Sequence, residues 1–268
     1  MRVDMLGPLE VTDGQVGFTP PGRKLRTVLA TLALNPGRVV PAFQLIGELW
    51  VDEPPAKAEN SLHAHIARLR KLFAAHLGAA RARQLVQTTG SGYRLDLPED
   101  AVDAHRFVRL AKQARVLQRH DVEAAAEALQ AALDLWRGPA LLDVGDGVLC
   151  RMAAVQFEEI RLAAHEDLVE AKLTLGQHRT LVPELERLAV QYPLRERFAE
   201  QLMVALYRCG RQADALDVYA RARLRLSADL GLEPGIGLRA TMAQVLRHDP
   251  RLWEGFPVSF PETGSAAH

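Results

Sequence analysis

The sequence changes character near residue 103, and this change restricts the possible folds more than any other feature. Before it, short runs of alternating apolar residues are interrupted by glycine and proline, which is typical of strands and turns joined to helices. After it, residues 104–250 are rich in Ala, Leu, Glu and Arg with apolar positions at helical spacing, and strand signals vanish. We therefore predict a mixed first part and an all-α second part.

The predicted all-α part contains an internal repeat. Gly176 and Gly210 lie 34 residues apart, and His120 precedes a third copy of the same pattern. A period of 34 residues is that of the tetratricopeptide helix–turn–helix repeat, whose paired helices pack closely. The alternative is a helical bundle with accidental spacing. The matching positions of the three copies are Ala125, Ala126, Leu129 and Ala132; Leu181, Val182, Leu185 and Leu188; and Ala215, Leu216, Tyr219 and Ala222.

The first part is predicted to contain short strands, three helices and a hairpin. Apolar alternation predicts strands between residues 3 and 20, and proline and glycine punctuate the helices that follow. The predicted boundaries are Arg23 to Asn35-Pro36-Gly37 for the first helix, Pro41 to Trp50 for the second, Ala58 to His76 for the third, and residues 85–97 for a hairpin with a glycine-bearing turn.

Pro98-Glu99-Asp100 marks the predicted boundary between the two parts. We expect Asp103 to cap the helix that follows it. The predicted domains are residues 1–98 and residues 103–250. Residues 254–268 carry Pro, Gly and Ser without periodicity, so we expect a flexible tail there.

One long segment of the first part contains only positive charge. The whole chain has 33 basic and 33 acidic residues, yet Asn60–Leu95 holds no Asp or Glu. Such a segment is the local footprint of a nucleic-acid surface, since cations that neutralise phosphates release counterions. An ordinary solvated helix face usually mixes both signs, and the absence of acids disfavours that alternative. The six cations are Arg68, Arg70, Lys71, Arg81, Arg83 and Arg94.

Helical geometry predicts how the third helix would approach DNA. Leu62, Ile66 and Leu69 form its apolar stripe, which places other residues on the opposite side. A helix in the major groove needs small residues for close approach beside long hydrogen-bonding side chains. The predicted base-contacting residues are Ala64, His65 and Arg68, and the predicted phosphate contacts include Asn60, Ser61, Arg70 and Lys71. The alternative for Arg68 is a salt bridge with Glu48 or Asp52.

Several motifs in order resemble one known family. Ser61–Lys71 and Leu85–Leu95 look like the recognition helix and wing of the OmpR-type winged helix-turn-helix, and LGPLEV at residues 6–11 is similar too. Leu135–Leu141 (LWRGPAL) and Leu230–Gly235 (LGLEPG) look like the bacterial transcriptional activation domain. Together they resemble the Streptomyces antibiotic regulatory protein (SARP) family. The expected fold is mainly α with a small β part, a winged helix-turn-helix followed by tetratricopeptide-like helices.

The resemblance implies a function and partners. It implies transcriptional activation of secondary-metabolite (antibiotic) gene clusters, through direct repeats in double-stranded DNA near the promoter −35 element. It also implies that two copies pair on DNA and recruit RNA polymerase holoenzyme through the sigma factor and the C-terminal domain of the alpha subunit.

The resemblance also assigns roles to residues. Thr88 and Tyr93 match phosphate-contacting positions, with Tyr93 equally typical of a core residue. The loop Val51–Glu59 matches a polymerase-contacting segment. The wing turn Gly90-Ser91-Gly92 lacks the arginine that related wings insert into the minor groove, and Arg94 or Arg81 could compensate. The remaining expected phosphate contacts are Arg23, Lys24 and Arg94, and the expected polymerase contacts are Asp52, Glu53, Lys57 and Glu59.

Other classes of function find little support in the sequence. His63 and His65 diverge on a helix, so we expect no metal, and Cys150 and Cys209 are expected to be buried apolar residues without a disulfide. Asp143 and Asp146 are expected to be helix caps or solvated residues. Catalytic and nucleotide-binding motifs are missing, so we expect no enzyme and no cofactor. No stretch is apolar enough for a membrane or a signal peptide, and we expect a cytoplasmic, nucleoid-associated protein.

Two alternative functions use the same fold. A protein-interaction scaffold would bind a peptide through its repeats, but it has no reason to exclude acids from residues 60–95. A ligand-sensing repressor would hold an effector in its helical part and lower transcription from the same DNA.

Overall fold

A computed structural model describes residues 1–14 and 16–253. Its first part contains two small antiparallel sheets, with strand orders β1-β2-β3 and β4-β6-β5. The predicted strands, the three helices and the hairpin are confirmed. The elements are β1 (Arg2–Asp4), β2 (Glu10–Asp13), β3 (Val16–Phe18), α1 (Arg23–Ala33), β4 (Val39–Pro41), α2 (Ala42–Leu49), α3 (Ala58–Leu77), α4 (Ala79–Leu85), β5 (Val86–Thr89) and β6 (Gly92–Leu95).

Helix α4 is an element that the sequence analysis missed. Its seven residues AARARQL are good helix formers, but they lie between Gly78 and a strand and are too few to show a period. Gly78 has a φ of 86°, which ends α3 and lets the chain begin a second helix. Arg81 and Arg83 therefore lie on this short helix and not on the hairpin.

The second part consists of helices joined by turns and loops, with no strand among its described residues, which confirms the predicted fold class. Gly176 and Gly210, the two glycines of the repeat, both have a φ of 78° in turns that precede a helix. The helices are α5 (Asp103–Leu117), α6 (Val122–Leu133), α7 (Val148–Thr174), α8 (His178–Gln191), α9 (Glu196–Arg208), α10 (Gln212–Leu230) and α11 (Ile236–Arg247), with 3-10 turns at Glu99–Ala101 and Pro250–Trp253.

The chain forms two compact units. The first comprises Met1–Ala114 with Ala128–Ala164, and the second comprises Arg115–Glu127 with the chain from His165 onward. The first unit thus includes all winged-helix elements, most of α5, the second half of α6 and more than half of α7. The division into segments 1–98 and 103–250 stays a prediction, and the predicted tail 254–268 lies outside the described residues.

In the first unit, the turn Met5–Leu9 is held by segments distant in sequence. The Asp103 carboxylate accepts hydrogen bonds from the amides of Met5 (2.8 Å) and Leu6 (2.9 Å), and it is 5% exposed. The amides of Arg137 and Leu141 donate to the carbonyls of Leu6 and Met5. The two motifs LGPLEV and LWRGPAL are therefore hydrogen-bonded to each other. Asp103 is the first residue of α5, and its carboxylate interacts with the Ala104 amide there and also bridges to the turn.

The second unit has its own apolar core. Helices α8, α9, α10 and α11 bury their apolar faces, and the matching repeat positions Leu181, Leu185 and Ala215 are among the most buried residues. Phe198 and Met203 on α9 complete this core. Within the described residues, no helix combines the length and the hydropathy that crossing a membrane requires.

Candidate nucleic-acid interface

Helix α3 has one face in the core and one face in solvent. Leu62, Ile66, Leu69 and Phe73 recur at helical spacing and are at most 1% exposed. Their burial fixes the rotation of the helix, because turning it would expose four large apolar side chains. The residues on the opposite face, Ala64, Arg68 and Lys71, are exposed as predicted.

The outer face of α3 presents unpaired cations. Among the described residues, neither Arg68 nor Lys71 has a hydrogen-bond or ion-pair partner, and both are exposed. The salt bridge considered for Arg68 is not formed. The Glu48 carboxylate instead binds the backbone amides of Leu149 and Cys150. Arg68 thus remains available for a planar two-point contact with a base edge, and Ala64 lies one helical turn before it.

A groove of about 520 Å³ runs beside this face. Lys24 from α1 lies on one wall, and Arg68 and Lys71 from α3 lie on the other. The Lys24 Nζ atom is 4.4 Å from the centre of the Trp50 ring, a cation–π contact that orients the ammonium group. Cations on both walls make this groove suited to an anionic backbone. Its lining residues are Pro21, Gly22, Lys24, Leu25, His65, Arg68, Lys71, Leu72 and Ala75.

His65 lies in this groove, half-buried beside Trp50, with the ring centres 6.3 Å apart. Its Nδ1 atom is buried and has no hydrogen-bond partner among the described residues. Burial lowers the pKa of His65, and the charges of Arg68 and Lys24 lower it further. The imidazole is therefore neutral at neutral pH, which favours a hydrogen bond to a base edge over a charge contact with phosphate.

Arg70, from the same acid-free segment, is bound within the protein. Its Nε donates to the Val86 carbonyl at 2.9 Å, and its Nη2 donates to the Thr88 hydroxyl at 2.8 Å. These bonds connect α3 to β5. The first role of Arg70 is thus to hold the wing against the recognition helix, while the hydroxyl hydrogen of exposed Thr88 stays available to another acceptor.

Two further predicted phosphate contacts are also engaged in the protein. Arg23 donates from Nε to the Val144 carbonyl (2.8 Å) and forms an ion pair with Asp146. Arg94 donates to the Gln87 side-chain oxygen, and Gln87 in turn donates to Asp96. A phosphate would have to compete with these internal partners. Asp146 is a surface ion-pair partner and no helix cap.

Tyr93 is a core residue, which corrects its assignment as a phosphate contact. It is 4% exposed, its ring meets the His63 ring edge-on at 6.4 Å, and burial raises its pKa. The preceding turn depends on Gly92, since a Cβ there would collide with the Val40 carbonyl and the Pro41 backbone. Gly92 therefore allows β6 to pair closely with β4 directly after the wing turn.

The beginning of α3 and the loop before it are exposed. The first amides of a helix have no intrahelical acceptor, and the N-cap residue of α3, Lys57, makes no side-chain hydrogen bond to them. Asn60 is exposed and Ser61 is half-exposed beside them, an arrangement suited to phosphate. In the loop, Asp52, Glu53 and Lys57 are exposed, and Glu59 is exposed in the first turn of α3.

The thiols and histidines form no metal site in the part of the chain that the structure describes. Cys150 is 1% exposed beside the Thr31 hydroxyl, and burial raises the pKa of its thiol to about 12. Cys150 is buried as predicted, and Cys209 is only half-buried.

Sequence reasoning missed the residues that attach helices α1 and α2 to the segment 143–150. Arg26 pairs with Asp143 at 3.0 Å, and the Thr27 hydroxyl accepts the Gly145 amide at 2.7 Å. Asp143 also accepts the Leu9 amide, so it is a connector and no helix cap. One signal was available: Glu48 lies between Leu45 and Leu49 on the apolar face of α2, where an acid needs a buried partner.

The fold and this face define a winged-helix protein of the transcription-regulator class, and comparisons with known proteins agree. The family described as "Transcriptional regulatory protein, C terminal" matches residues 20–95, and "Bacterial transcriptional activator domain" matches residues 102–246. The transcriptional regulator RedD of Streptomyces coelicolor is 44% identical over 94% of this chain and 72% of its own length. The regulatory protein DnrI of Streptomyces peucetius is 38% identical over 100% of this chain and 98% of its own length.

A solved structure extends the similarity to three dimensions. Mycobacterium tuberculosis EmbR, in complex with a low affinity phosphopeptide, superposes with a TM-score of 0.86 at 36% identity and covers 93% of this chain and 66% of the EmbR chain. The chain belongs to the SARP family of transcriptional activators. It is a DNA-binding transcription regulator and not an enzyme, as predicted.

Proposed function

We propose that this protein activates transcription by binding direct DNA repeats near a promoter −35 element. Two copies bind side by side and recruit RNA polymerase holoenzyme through the sigma factor and the C-terminal domain of the alpha subunit. The regulated genes belong to a secondary-metabolite cluster, which the similarity to RedD and DnrI supports. The observation that carries the proposal is the outer face of α3, where Arg68 and Lys71 are exposed and unpaired among the described residues beside Ala64.

The geometry suggests a division of labour on DNA. Arg68 contacts guanine, Ala64 contacts a thymine methyl group, and neutral His65 contacts a neighbouring base edge. Lys24 and Lys71 bind phosphates from the two walls of the groove, and Asn60 and Ser61 bind phosphate at the start of α3. Arg70 and Arg94 support the wing and contact phosphate only after their internal partners are displaced, whereas the exposed Thr88 hydroxyl donates to phosphate while it still accepts from Arg70.

The loop before α3 is the proposed polymerase contact. Asp52, Glu53, Lys57 and Glu59 are exposed and have no ion pair with other described residues. Because the loop directly precedes the recognition helix, docking of α3 would hold it close to the DNA. This position suits contact with a sigma factor bound at the −35 element.

Hydroxyl-radical footprinting with single-round transcription tests the proposal. Promoter fragments from the genes around its own are footprinted with the full-length protein and transcribed with purified polymerase holoenzyme. We expect two adjacent protected segments with the same sequence orientation and increased transcript. A palindromic footprint would contradict the tandem arrangement, reduced transcript would favour the repressor, and no footprint on any fragment would favour the scaffold.

A further inference from the structure

The turn Val144–Val148, with sequence VGDGV, packs against the helices of the winged fold. The Gly145 amide donates to the Thr27 hydroxyl on α1 at 2.7 Å. A Cβ at Gly147 would collide with the carboxylate and the Cα atom of Glu48 on α2. Neither glycine has a positive φ, so glycine is needed here for close approach and not for backbone conformation.

Glu48 caps α7 from a distance of about one hundred residues in sequence. Its carboxylate accepts the amides of Leu149 at 2.7 Å and Cys150 at 3.1 Å, which are the second and third residues of α7. Glu48 is only 4% exposed. A carboxylate at these unsatisfied amides also interacts favourably with the positive end of the helix dipole.

Other bonds reinforce the same attachment on α1. Arg26 donates to the backbone carbonyl of Asp143 at 2.9 Å and pairs with its carboxylate at 3.0 Å. Arg23 donates to the Val144 carbonyl at 2.8 Å. Both α1 and α2 are therefore fixed to the segment 143–150, and Glu48 is the attachment point nearest the end of α2.

The position of Glu48 in the chain connects this attachment to the exposed loop. Helix α2 ends at Leu49, and every residue from Val51 to Lys57 is exposed. The far end of the loop enters α3, whose position is fixed by its own apolar stripe. The near end, Val51, follows Glu48 by three residues, so the cap on α7 determines where the loop begins.

We propose that Glu48 is a positioning residue for the polymerase-contacting loop, and that it acts by capping α7. This inference rests on the proposed function, because it assumes that the loop meets polymerase. The proposed DNA-contacting residues Arg68 and Lys71 lie on α3 and are not among the residues that form the cap. Loss of the cap therefore reduces activation at a promoter that the protein still occupies.

The test compares DNA affinity with activation in full-length variants. Glu48→Gln keeps one acceptor oxygen and brings an amide group against the Cys150 amide, and Gly147→Ala displaces the carboxylate by collision. We expect both variants to bind the footprinted promoter fragment within about threefold of the native affinity. At saturating DNA occupancy, we expect single-round transcription with polymerase holoenzyme to fall at least about fivefold.

Asp121→Asn is the matched control. Asp121 also caps a helix, since its carboxylate accepts the Ala124 amide at 2.9 Å, but it directly precedes α6, far along the chain from the loop. We expect this variant to activate like the native protein, and thermal melting verifies that every variant is folded at the assay temperature.

Activation at the native level by both Glu48→Gln and Gly147→Ala would overturn the proposal. So would a proportional loss of DNA binding and activation, which would give Glu48 a structural role only. If the native protein itself fails to bind or activate, the proposed function fails instead.

Discussion

Two groups of polar side chains in the first unit are used in opposite ways. On the outer face of α3, Arg68 and Lys71 are exposed and unpaired among the described residues. Around Met5–Leu9, the side chains of Asp103 and Asp143 are committed to backbone amides. The first group is solvated and remains available to a partner. The second group holds segments together that are distant in sequence.

Arg70 shows that charge alone does not separate these two groups. It belongs to the same acid-free segment as Arg68, two residues away, yet its guanidinium binds Val86 and Thr88. The difference between Arg68 and Arg70 is their position around the helix axis, which the buried apolar stripe of α3 fixes. A cation on the outer face of α3 meets solvent, while one beside the stripe meets the wing.

The largest expected effect is a change of stability with pH, and it concerns Asp103, whose carboxylate is bound to backbone amides. Burial, with the nearby Asp4 charge adding to it, raises the pKa of Asp103 from 3.8 to about 6, although the Leu6 and Met5 amides oppose the shift. The folded state therefore binds this proton more tightly than the unfolded state, and the contribution of Asp103 to stability rises as the pH falls.

Urea unfolding of the native protein and of Asp103→Asn, which cannot titrate, measures this contribution. The free energy of unfolding of the native protein relative to the variant should increase by about 2 kcal/mol between about pH 7 and about pH 4. A difference that does not change with pH would show that the carboxylate is not held in this buried bridge.

Arg68→Ala tests the exposed cations on the outer face of α3. We expect a loss of roughly 1–3 kcal/mol in binding free energy to the specific site and relaxed preference at one base position, because a two-point contact with guanine disappears. Fluorescence anisotropy with a set of single-base variants of the site measures both. Arg83→Ala, from the same acid-free segment but on α4, is the control and should keep the base preference. If Arg68→Ala leaves preference unchanged, the orientation assigned to α3 is wrong.

Arg70→Ala should affect stability more than base preference. Removing the guanidinium leaves the Val86 carbonyl without its donor and frees the wing from α3, which should cost about 1–2 kcal/mol in the free energy of unfolding. Thermal or urea unfolding measures this loss, and DNA of every sequence should bind somewhat less tightly. If the variant is as stable as the native protein but has lost base preference, Arg70 contacts bases together with Arg68 instead.

The smallest expected effect is that of Lys71→Ala. This change should weaken binding to all DNA sequences similarly and reduce the slope of log K against log salt by roughly one. Titrations of specific and scrambled duplexes over several salt concentrations measure the slope. Lys112→Ala, an exposed lysine on α5, is the control and should leave the slope unchanged.

The sequence predicted the exposed cations of α3 better than the carboxylates that bind backbone amides. The stripe of Leu62, Ile66 and Leu69 was sufficient to predict which face of α3 is buried, and the acid-free segment was sufficient to predict its positive charge. Both signals are local in the sequence. The partners of Asp103 and Glu48 lie about one hundred residues away, and no local pattern identifies them. Tyr93 was ambiguous for the same reason, since a hairpin aromatic is equally compatible with core and surface until the packing against β4 is known.

The most direct test of the account is a fluorescence-anisotropy titration of the full-length protein. Promoter fragments from its genomic neighbourhood are compared with scrambled duplexes at two salt concentrations. The account predicts that one fragment is preferred and that this preference survives the higher salt, because base contacts by Arg68 and its neighbours do not depend on counterion release. Equal and weak binding of all duplexes that collapses in salt would contradict it, since α3 would then contact phosphates only.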